Sequence, residues 1–249
     1  IIEVLFMFPC TPLVVALTEK IIPGEDQKVH HNELQYITEI SLKSPATMIP
    51  QAKNELKRMA DMAQENLDRS IKGFLNQSDE YLNKIYHREE DINNVSHAIT
   101  DYLVKSNQLS LPLADQKILG SMFYVVNDIE RIGDHAENFA DYTKTELKHN
   151  TGLTGDAKEE IKKMYEAVSK LLKLSLESFM AQDGVNTQED KLAEIAALEA
   201  SIDKMERRYQ KHHIKRLAKG ECEPRAGLLF SDMLSELERI ADHSVNIAY

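Results

Sequence analysis

Apolar side chains recur every three or four residues along most of the chain after residue 50, which is the spacing of a helix with one buried face. The pattern predicts one helix over about 50–75, a second over about 80–106 and a third over about 116–147. Polar or proline-containing stretches such as "NQSD" and "NQLSLPLAD" separate them. The first helix is expected to bury Leu56, Met59, Ala63, Leu67, Ile71 and Phe74, and the second Ile85, Ile92, Val95 and Ile99.

The same three-helix layout recurs in the second half of the chain. The stretch "KHNTGLTGD" separates the halves, and three more periodic stretches follow it, divided by "AQDGVNTQ" and "ECEPRAG". Gly and Pro are scarce, and no alternating β pattern of useful length appears. We therefore predict an all-α protein of two tandem three-helix bundles, with one repeat at 50–147 and the other at 148–249.

The third helix of each half contains nearly the same word, "VNDIERIGDHAENFA" at 126–140 and "LSELERIADHSVNIA" at 234–248. Gly133 and Ala241 share one position, where a small side chain lets another helix or a ligand approach closely. The apolar positions of the two helices correspond and are expected to lie in the core: Met122, Val126, Ile129, Ile132, Ala136 and Phe139 in the first, and Phe230, Leu234, Leu237, Ile240, Ser244 and Ile247 in the second.

Each word also contains two carboxylates four residues apart, Glu130 with Asp134 and Glu238 with Asp242. On a helix this spacing places both on one face, about one turn apart, where like charges repel. A positive partner is therefore expected. The arginine that follows each glutamate is one candidate, through ion pairs to another helix, and a hard metal ion bound by oxygen ligands is the other.

The predicted second helices offer matching carboxylates. Aligning the two halves places Glu89 opposite Glu199 and Asn93 opposite Asp203, so each half gathers three or four carboxyl groups if its second and third helices face each other. The histidine after each aspartate lies about 100° around the helix, so a capping or ion-paired role is an alternative to metal ligation. Spacing alone leaves both a metal site and a plain ion-pair network open.

The first residues have a different character, because 1–17, "IIEVLFMFPCTPLVVAL", are almost entirely apolar. The stretch is shorter than the roughly 20 residues of a full membrane span. We interpret residues 1–18 as the end of a transmembrane helix, followed by a linker at 19–49 with several turn signals. The alternative is a buried or interfacial segment, and a signal peptide fits poorly.

The net charge of −11 and the lack of a dense Lys/Arg run argue against nucleic acid as a partner. Two cysteines form neither a disulfide framework nor a zinc motif, which favours a reducing compartment. No nucleophile elbow or glycine-rich phosphate loop occurs, so no catalytic residue and no enzyme are expected. A carboxylate-bridged metal enzyme is the alternative, although Glu and His are five residues apart in each word rather than three.

The doubled "ERI(G/A)DH..N.A" word, with Glu-x-x-x-Asp or Glu-x-x-x-Asn on the second helices, resembles the PhoU family of phosphate-uptake regulators over about 46–249. The resemblance implies iron or zinc clusters, as in some members, with no cofactor as the alternative. Asn93 departs from the acidic pattern and offers only a neutral oxygen. Carried over position by position, the implied metal ligands are Glu130, Asp134, Glu238, Asp242, Glu199, Asp203 and, more weakly, Glu89.

The apolar start, "EKIIPGED" and "LKSPATMIPQAKNELKRM" together resemble a bacterial sodium-dependent phosphate cotransporter of the Na/Pi type II-related family, in which a PhoU-like domain follows the last membrane helix. This resemblance implies a regulatory domain at the inner membrane, with residues after about 20 in the cytoplasm. The implied partners are the membrane, its own transporter domain and a second copy in a homo-oligomer. The alternative is a soluble PhoU-type signalling adaptor that negatively regulates phosphate uptake.

Overall fold

A computed structural model describes residues 34–38, 45–149, 152–181 and 189–249 of the chain. The predicted membrane end at 1–18 and most of the predicted linker lie outside the described residues. No helix among those described is both long and apolar enough to cross a membrane. The all-α prediction is confirmed by six helices: α1 Pro45–Leu75, α2 Leu82–Asn107, α3 Leu113–His149, α4 Gly155–Met180, α5 Glu189–Ala218 and α6 Pro224–Ala248.

Helices α1 to α3 pack together as the first bundle and α4 to α6 as the second, and one continuous core runs through both. The predicted stripes form that core, because every apolar position predicted for the first, second and third helices is buried. Helix α1 begins at Pro45, before the predicted start, and continues through Pro50. Because Pro50 lies close to the helix start, it removes only one intrahelical hydrogen bond there.

Local sequence signals set several helix ends in the second bundle. Thr154 caps α4, since its hydroxyl accepts a hydrogen bond from the Ala157 amide at 3.2 Å. Helix α5 ends at Ala218. Two residues later Gly220 has a left-handed φ of 69°, and the next amide, that of Glu221, donates to the Arg216 carbonyl. Pro224 then starts α6, where a missing amide hydrogen costs nothing. These signals make the α5–α6 connection short, so the two helices pack side by side.

The described segment before α1 is held by one buried carboxylate. Glu55 has no exposed surface, and its Oε2 accepts from the amides of Gln35 and Tyr36 at 2.9 and 2.7 Å. Arg58 donates to the other oxygen at 2.5 Å. A buried carboxylate with three donors is well satisfied, so this contact fixes how the chain enters α1.

The two bundles meet through α1 with α4 and through α3 with α6. In the first of these contacts Lys53 Nζ donates to the Phe179 carbonyl at 3.3 Å. Three to four turns further along α1, the Tyr165 hydroxyl donates to the Asp68 carboxylate, and Gln64 donates to that hydroxyl at 3.2 Å. The contact between α3 and α6 contains the repeated words, so it bears on the candidate site.

One tight approach in the second bundle gives a direct test of this packing. A Cβ built on Gly227 would lie 2.5 Å from His213 Nε2, and His213 is itself packed against Phe230, with ring centroids 5.2 Å apart. We expect Gly227→Ala to lower the free energy of unfolding by about 2 kcal/mol, because the clash outweighs the better helix propensity of alanine. Chemical denaturation checks this, and Gly155→Ala, with open space around its Cβ, is the matched control.

Candidate functional site

The first bundle gathers carboxylates on one face where α2 packs against α3. Glu89 on α2 lies within electrostatic reach of Glu130, Asp134 and Glu137 on α3. Glu89, Glu130 and Glu137 are partly buried, and Asp134 is exposed. Asn93, the neutral member of the second-helix pair, donates a hydrogen bond to Glu89. We call Glu89, Glu130, Asp134 and Glu137 the first acidic cluster.

The second bundle repeats this arrangement where α5 packs against α6. Glu199 and Asp203 on α5 interact electrostatically with Asp242 on α6, and Asp203 also with Glu238. Glu206, one turn further along α5, belongs to the same group. We call Glu199, Asp203, Glu206, Glu238 and Asp242 the second acidic cluster. The structure thus brings the seven predicted carboxylates together as two groups, one in each bundle.

The raised pKa values reflect desolvated and mutually repelling carboxylates in both clusters, although Arg207 pairs with Asp203 at 3.1 Å in the second. Burial raises the pKa of Glu89 to about 7, and the charges of Glu137, Asp134 and Glu130 add to the effect. In the second cluster, burial and then the Asp242 charge raise the pKa of Glu238. A cation bound among these carboxylates would stabilise their charged forms and reduce the repulsion between them.

The donor set of each cluster is made of oxygen atoms on facing helices, which suits a hard cation. Among the described residues no three His, Cys, Asp or Glu side chains converge closely enough to hold a metal ion as they stand. The arginines considered as internal counterions do not join the helices, because Arg239 pairs at 3.9 Å with Glu236 on its own helix. Arg131 lies exposed on α3. The metal ligands therefore stay a prediction.

The shifted pKa of Glu89 predicts how stability of the metal-free chain depends on pH. Between about pH 4.5 and about 7 the unfolded chain has released this proton and the folded chain keeps it, so the free energy of unfolding falls as pH rises through that window. We expect Glu89→Gln to flatten this slope and to raise stability above pH 7. Thermal melts across the pH range check it, with Glu90→Gln on the exposed side of α2 as the control; equal slopes in the two variants would contradict it.

On another face of the same helices, the words bind each other across the bundle interface. His135 Nδ1 of α3 contacts Glu236 Oε2 of α6, and Asn138 donates to that oxygen at 3.2 Å. The Tyr142 hydroxyl donates to the other carboxylate oxygen at 3.4 Å. The side chains of His135 and Glu236 are each 11% exposed, so this polar contact is nearly dry.

The histidine of the second word makes the corresponding contact with the acid of the first word. His243 Nδ1 of α6 lies 2.8 Å from Asp128 Oδ1 of α3, and Asn246 donates to the same oxygen at 3.2 Å. The rings of His135 and His243 stand next to each other, with centroids 5.6 Å apart. Each word thus contributes one acid, one histidine and one asparagine to a pseudo-two-fold contact. We call these six residues the histidine clasp: Asp128, His135, Asn138, Glu236, His243 and Asn246.

The clasp determines the ionisation of Glu236. Burial alone would raise the pKa of this carboxyl, but the hydrogen bond and charge of His135, with help from Asn138 and Arg239, hold it below its usual range. A carboxyl with a lowered pKa stabilises the fold above its unfolded value, and that contribution is lost as pH falls through the folded value. The contact between bundles is therefore expected to weaken in acid.

Sequence reasoning missed the acids of the clasp and two members of the acidic clusters, Glu137 and Glu206. A signal for the clasp was present, because Asp128 and Glu236 occupy the same position in the two words, seven residues before the histidine. Positions seven apart lie on one helical stripe. An acid, a histidine and an asparagine on one stripe in both words indicate a shared interface. The ion-paired alternative for the histidines is what the structure shows.

Comparison with solved structures supports the fold. The chain is similar to PhoU from Pseudomonas aeruginosa, with a TM-score of 0.73 and 20% identity, over 82% of this chain and 95% of that one. It is also similar to the phosphate transport system regulatory protein PhoU from Streptococcus pneumoniae, with a TM-score of 0.69 and 20% identity, over 82% of this chain and 93% of that one. At this identity the likeness shows the fold alone.

Two curated relatives are similar in sequence. One is the phosphate-specific transport system accessory protein PhoU homolog 1 of Thermotoga maritima, 20% identical over 78% of this chain and 82% of its own. The other is the phosphate-specific transport system accessory protein PhoU homolog of Clostridium acetobutylicum, 22% identical over 78% of this chain and 86% of its own.

These findings correct one expectation, which is that the protein resides in the inner membrane. That expectation is wrong: the relatives are accessory proteins of a transport system, and within the described ranges no helix could cross a bilayer. The physical reason is that each described helix has one apolar face and charged residues on its other faces, which suits a bundle and not a helix surrounded by lipid.

Membership of a family rests on the sequence as a whole. The PhoU domain matches the chain twice, at residues 56–143 and 161–249. Each match covers one three-helix bundle and includes one copy of the repeated word. The chain therefore belongs to the PhoU domain family.

Proposed function

We propose that this chain is a regulatory accessory protein of phosphate transport that binds cations at its two acidic clusters and performs no catalysis itself. One observation carries the proposal: the repeated word builds an acidic cluster on one face of α3 and α6 and the histidine clasp on another. Family membership, and the names of the two curated relatives, support the role in phosphate transport. The physiological partner would be a phosphate transport system.

The apolar start of the sequence favoured a domain attached to a sodium-dependent phosphate cotransporter. The comparisons support the alternative better, because the curated relatives are accessory proteins, and this chain matches 82% and 86% of their lengths. We therefore propose the accessory role, in which the protein lowers phosphate uptake by docking on a transporter or its signalling partner.

We propose that Glu89, Glu130 and Asp134 hold a cation in the first bundle, and that Glu199, Asp203, Glu238 and Asp242 hold another in the second. Of the metals that the family resemblance implies, iron suits an all-oxygen donor set better than zinc, which prefers nitrogen and sulfur ligands. Because Asn93 stands where the second bundle has Asp203, the first site has one carboxylate fewer than the second. Glu137 and Glu206 lie beside the sites and would add to the attraction for a cation.

A mechanism follows from where the two sets of side chains lie. A cation in a cluster would draw α2 towards α3, or α5 towards α6, by removing the repulsion between carboxylates. Asp134 and His135 are adjacent on α3, so any shift of α3 reaches the clasp directly. Cation binding would thus change how the two bundles meet, and with it the surface offered to the transport system.

The test compares wild type with the double substitution Glu238→Ala and Asp242→Ala in cells that depend on this chain for control of phosphate uptake. We expect the variant to fold, to lose the metal of the second bundle and to release uptake from control. Exchange of Asp61 and Glu65 for alanine, an exposed pair of equal spacing on α1, is the control. If neither metal content nor uptake changed in the cluster variant, the proposal would be wrong.

A further inference from the structure

The first helices of the two bundles contain nearly the same sequence, and one glutamate in it has different surroundings in the two copies. The stretch "AKNELKRM" at 52–59 of α1 corresponds to "AKEEIKKM" at 157–164 of α4, with five of eight residues identical. Glu55 and Glu160 occupy the same position. Glu55 has no exposed surface and accepts from two successive backbone amides of the described segment before α1. The repeat therefore indicates what Glu160 can bind.

Glu160 has no such cover among the residues that the structure describes. The chain reaches α4 from α3 through a short connection, and no described backbone amide donates to this carboxylate. Its side chain is 12% exposed and lines an open hollow of about 390 Å³, formed by the first turns of α4 and the last turns of α5. That volume is within the range of ligand pockets in proteins.

Two side chains of α5 hold Glu160 in the wall of this hollow. His212 Nδ1 lies 2.6 Å from its Oε1, and Arg216 donates to its Oε2 at 2.8 Å. The first bundle has the neutral residues Tyr102 and Ser106 at these two positions. A carboxylate oxygen has two lone pairs, so each Glu160 oxygen can accept a second hydrogen bond from a ligand.

The α5 wall of the hollow also contains cations that could bind an acceptor. Arg216 is 8% exposed, and its Nε is buried without a hydrogen-bond partner among the described residues. Lys215 is exposed and lines the hollow, and within the described ranges it forms no ion pair. The α4 wall instead presents carboxylates, among them Asp156 and Glu159. A well-matched ligand would therefore offer acceptors towards α5 and donors towards α4.

We propose that this hollow binds a short non-helical segment of a partner protein, which donates successive backbone amides to Glu160 and places an acidic side chain beside Lys215. Such a segment has free amides and free carbonyls, so it supplies both kinds of group that the two walls need. Residues 34–37 bind Glu55 in this way. A small anion would be repelled by the carboxylates of α4. The hollow lies outside both acidic clusters, so this proposal does not depend on cation binding.

The test uses a fluorescently labelled peptide with the sequence of residues 32–38, "NELQYIT", because residues 34–37 bind the equivalent glutamate. Fluorescence anisotropy measures its dissociation constant with the full chain, and we expect saturable binding. N-methylation of the peptide amides at Gln35 and Tyr36 should weaken binding by about tenfold or more, since it removes both donors to the charged carboxylate. N-methylation at Leu34 is the matched control and should have little effect.

A charge exchange tests whether the peptide lies in the hollow. Lys215→Glu should weaken binding about fivefold, because it brings like charges together, and a peptide with Glu33→Lys should bind this variant more tightly than wild type. Lys162→Glu, at an exposed position of α4 outside the hollow, is the control. Unchanged melting temperatures will show that both variants fold.

Three results would each overturn the proposal. The first is no saturable binding up to about 1 mM peptide. The second is equal binding of the unmodified peptide and the one methylated at Gln35 and Tyr36. The third is binding that the charge exchange at Lys215 leaves unchanged, which would place the peptide elsewhere on the chain.

Discussion

Replacing His135 by alanine is expected to lower the free energy of unfolding by about 3 kcal/mol, the largest effect of any single substitution considered for this protein. The change leaves Glu236 buried at the bundle interface without its main partner, and an uncompensated buried charge is strongly destabilising. For a domain of this size that corresponds to a fall in melting temperature of roughly 6–12 °C. Chemical and thermal denaturation at neutral pH measure it.

A double-mutant cycle separates the pair from its surroundings. Glu236→Ala combined with His135→Ala should cost less than the sum of the two single changes, because the second change removes the charge that the first one stranded. His87→Ala, which removes a histidine with an 82% exposed side chain and a glutamate neighbour, is the matched control and should have little effect. Additive losses in the cycle would show that His135 and Glu236 do not act together.

A bound cation is expected to raise the melting temperature of the chain by about 5–10 °C when it is present at roughly a hundred times its dissociation constant. The physical reason is that the folded chain gathers carboxylates whose pKa values are raised, whereas the unfolded chain does not. The shift should grow as pH rises to about 7, because Glu89 must lose its proton before it can bind a metal ion.

The two words should contribute separately to this stabilisation. Alanine at both Glu130 and Asp134, or at both Glu238 and Asp242, should remove part of the shift, and the four changes together should abolish it. The Asp61 and Glu65 pair has the same spacing but already pairs with Lys57 and Arg69, so its removal should leave the shift unchanged. A shift that survived the fourfold change would place the cation elsewhere.

The period of apolar residues predicted the helices and their buried faces correctly, because a bundle helix must bury one stripe whatever its neighbours are. It also placed the carboxylates on the correct faces, since four-residue spacing fixes position around a helix. What it could not give was the pairing between helices far apart in sequence. His135 and Glu236 are 101 residues apart, and only the crossing of α3 and α6 brings them together.

Two predictions from local sequence were wrong or incomplete, because packing in the folded chain outweighs local preference. The predicted linker at 19–49 included Pro45, yet α1 begins at Pro45 and runs through Pro50. Early helix positions tolerate proline, and packing of Met48 and Ala52 into the core stabilises the added turn. Glu137 and Glu206 were missed because each lies outside the four-residue pair, although helix packing brings each beside it.

The most direct measurement is the number of metal ions bound per chain after the full chain is loaded with iron or zinc and freed of excess ions. Wild type should retain metal at both clusters. Alanine at Glu130 and Asp134 should remove the metal bound by the first bundle. Alanine at Glu238 and Asp242 should remove the metal bound by the second. A folded wild-type chain that retained no metal, or variants that retained as much as wild type, would contradict cation binding by the repeated words.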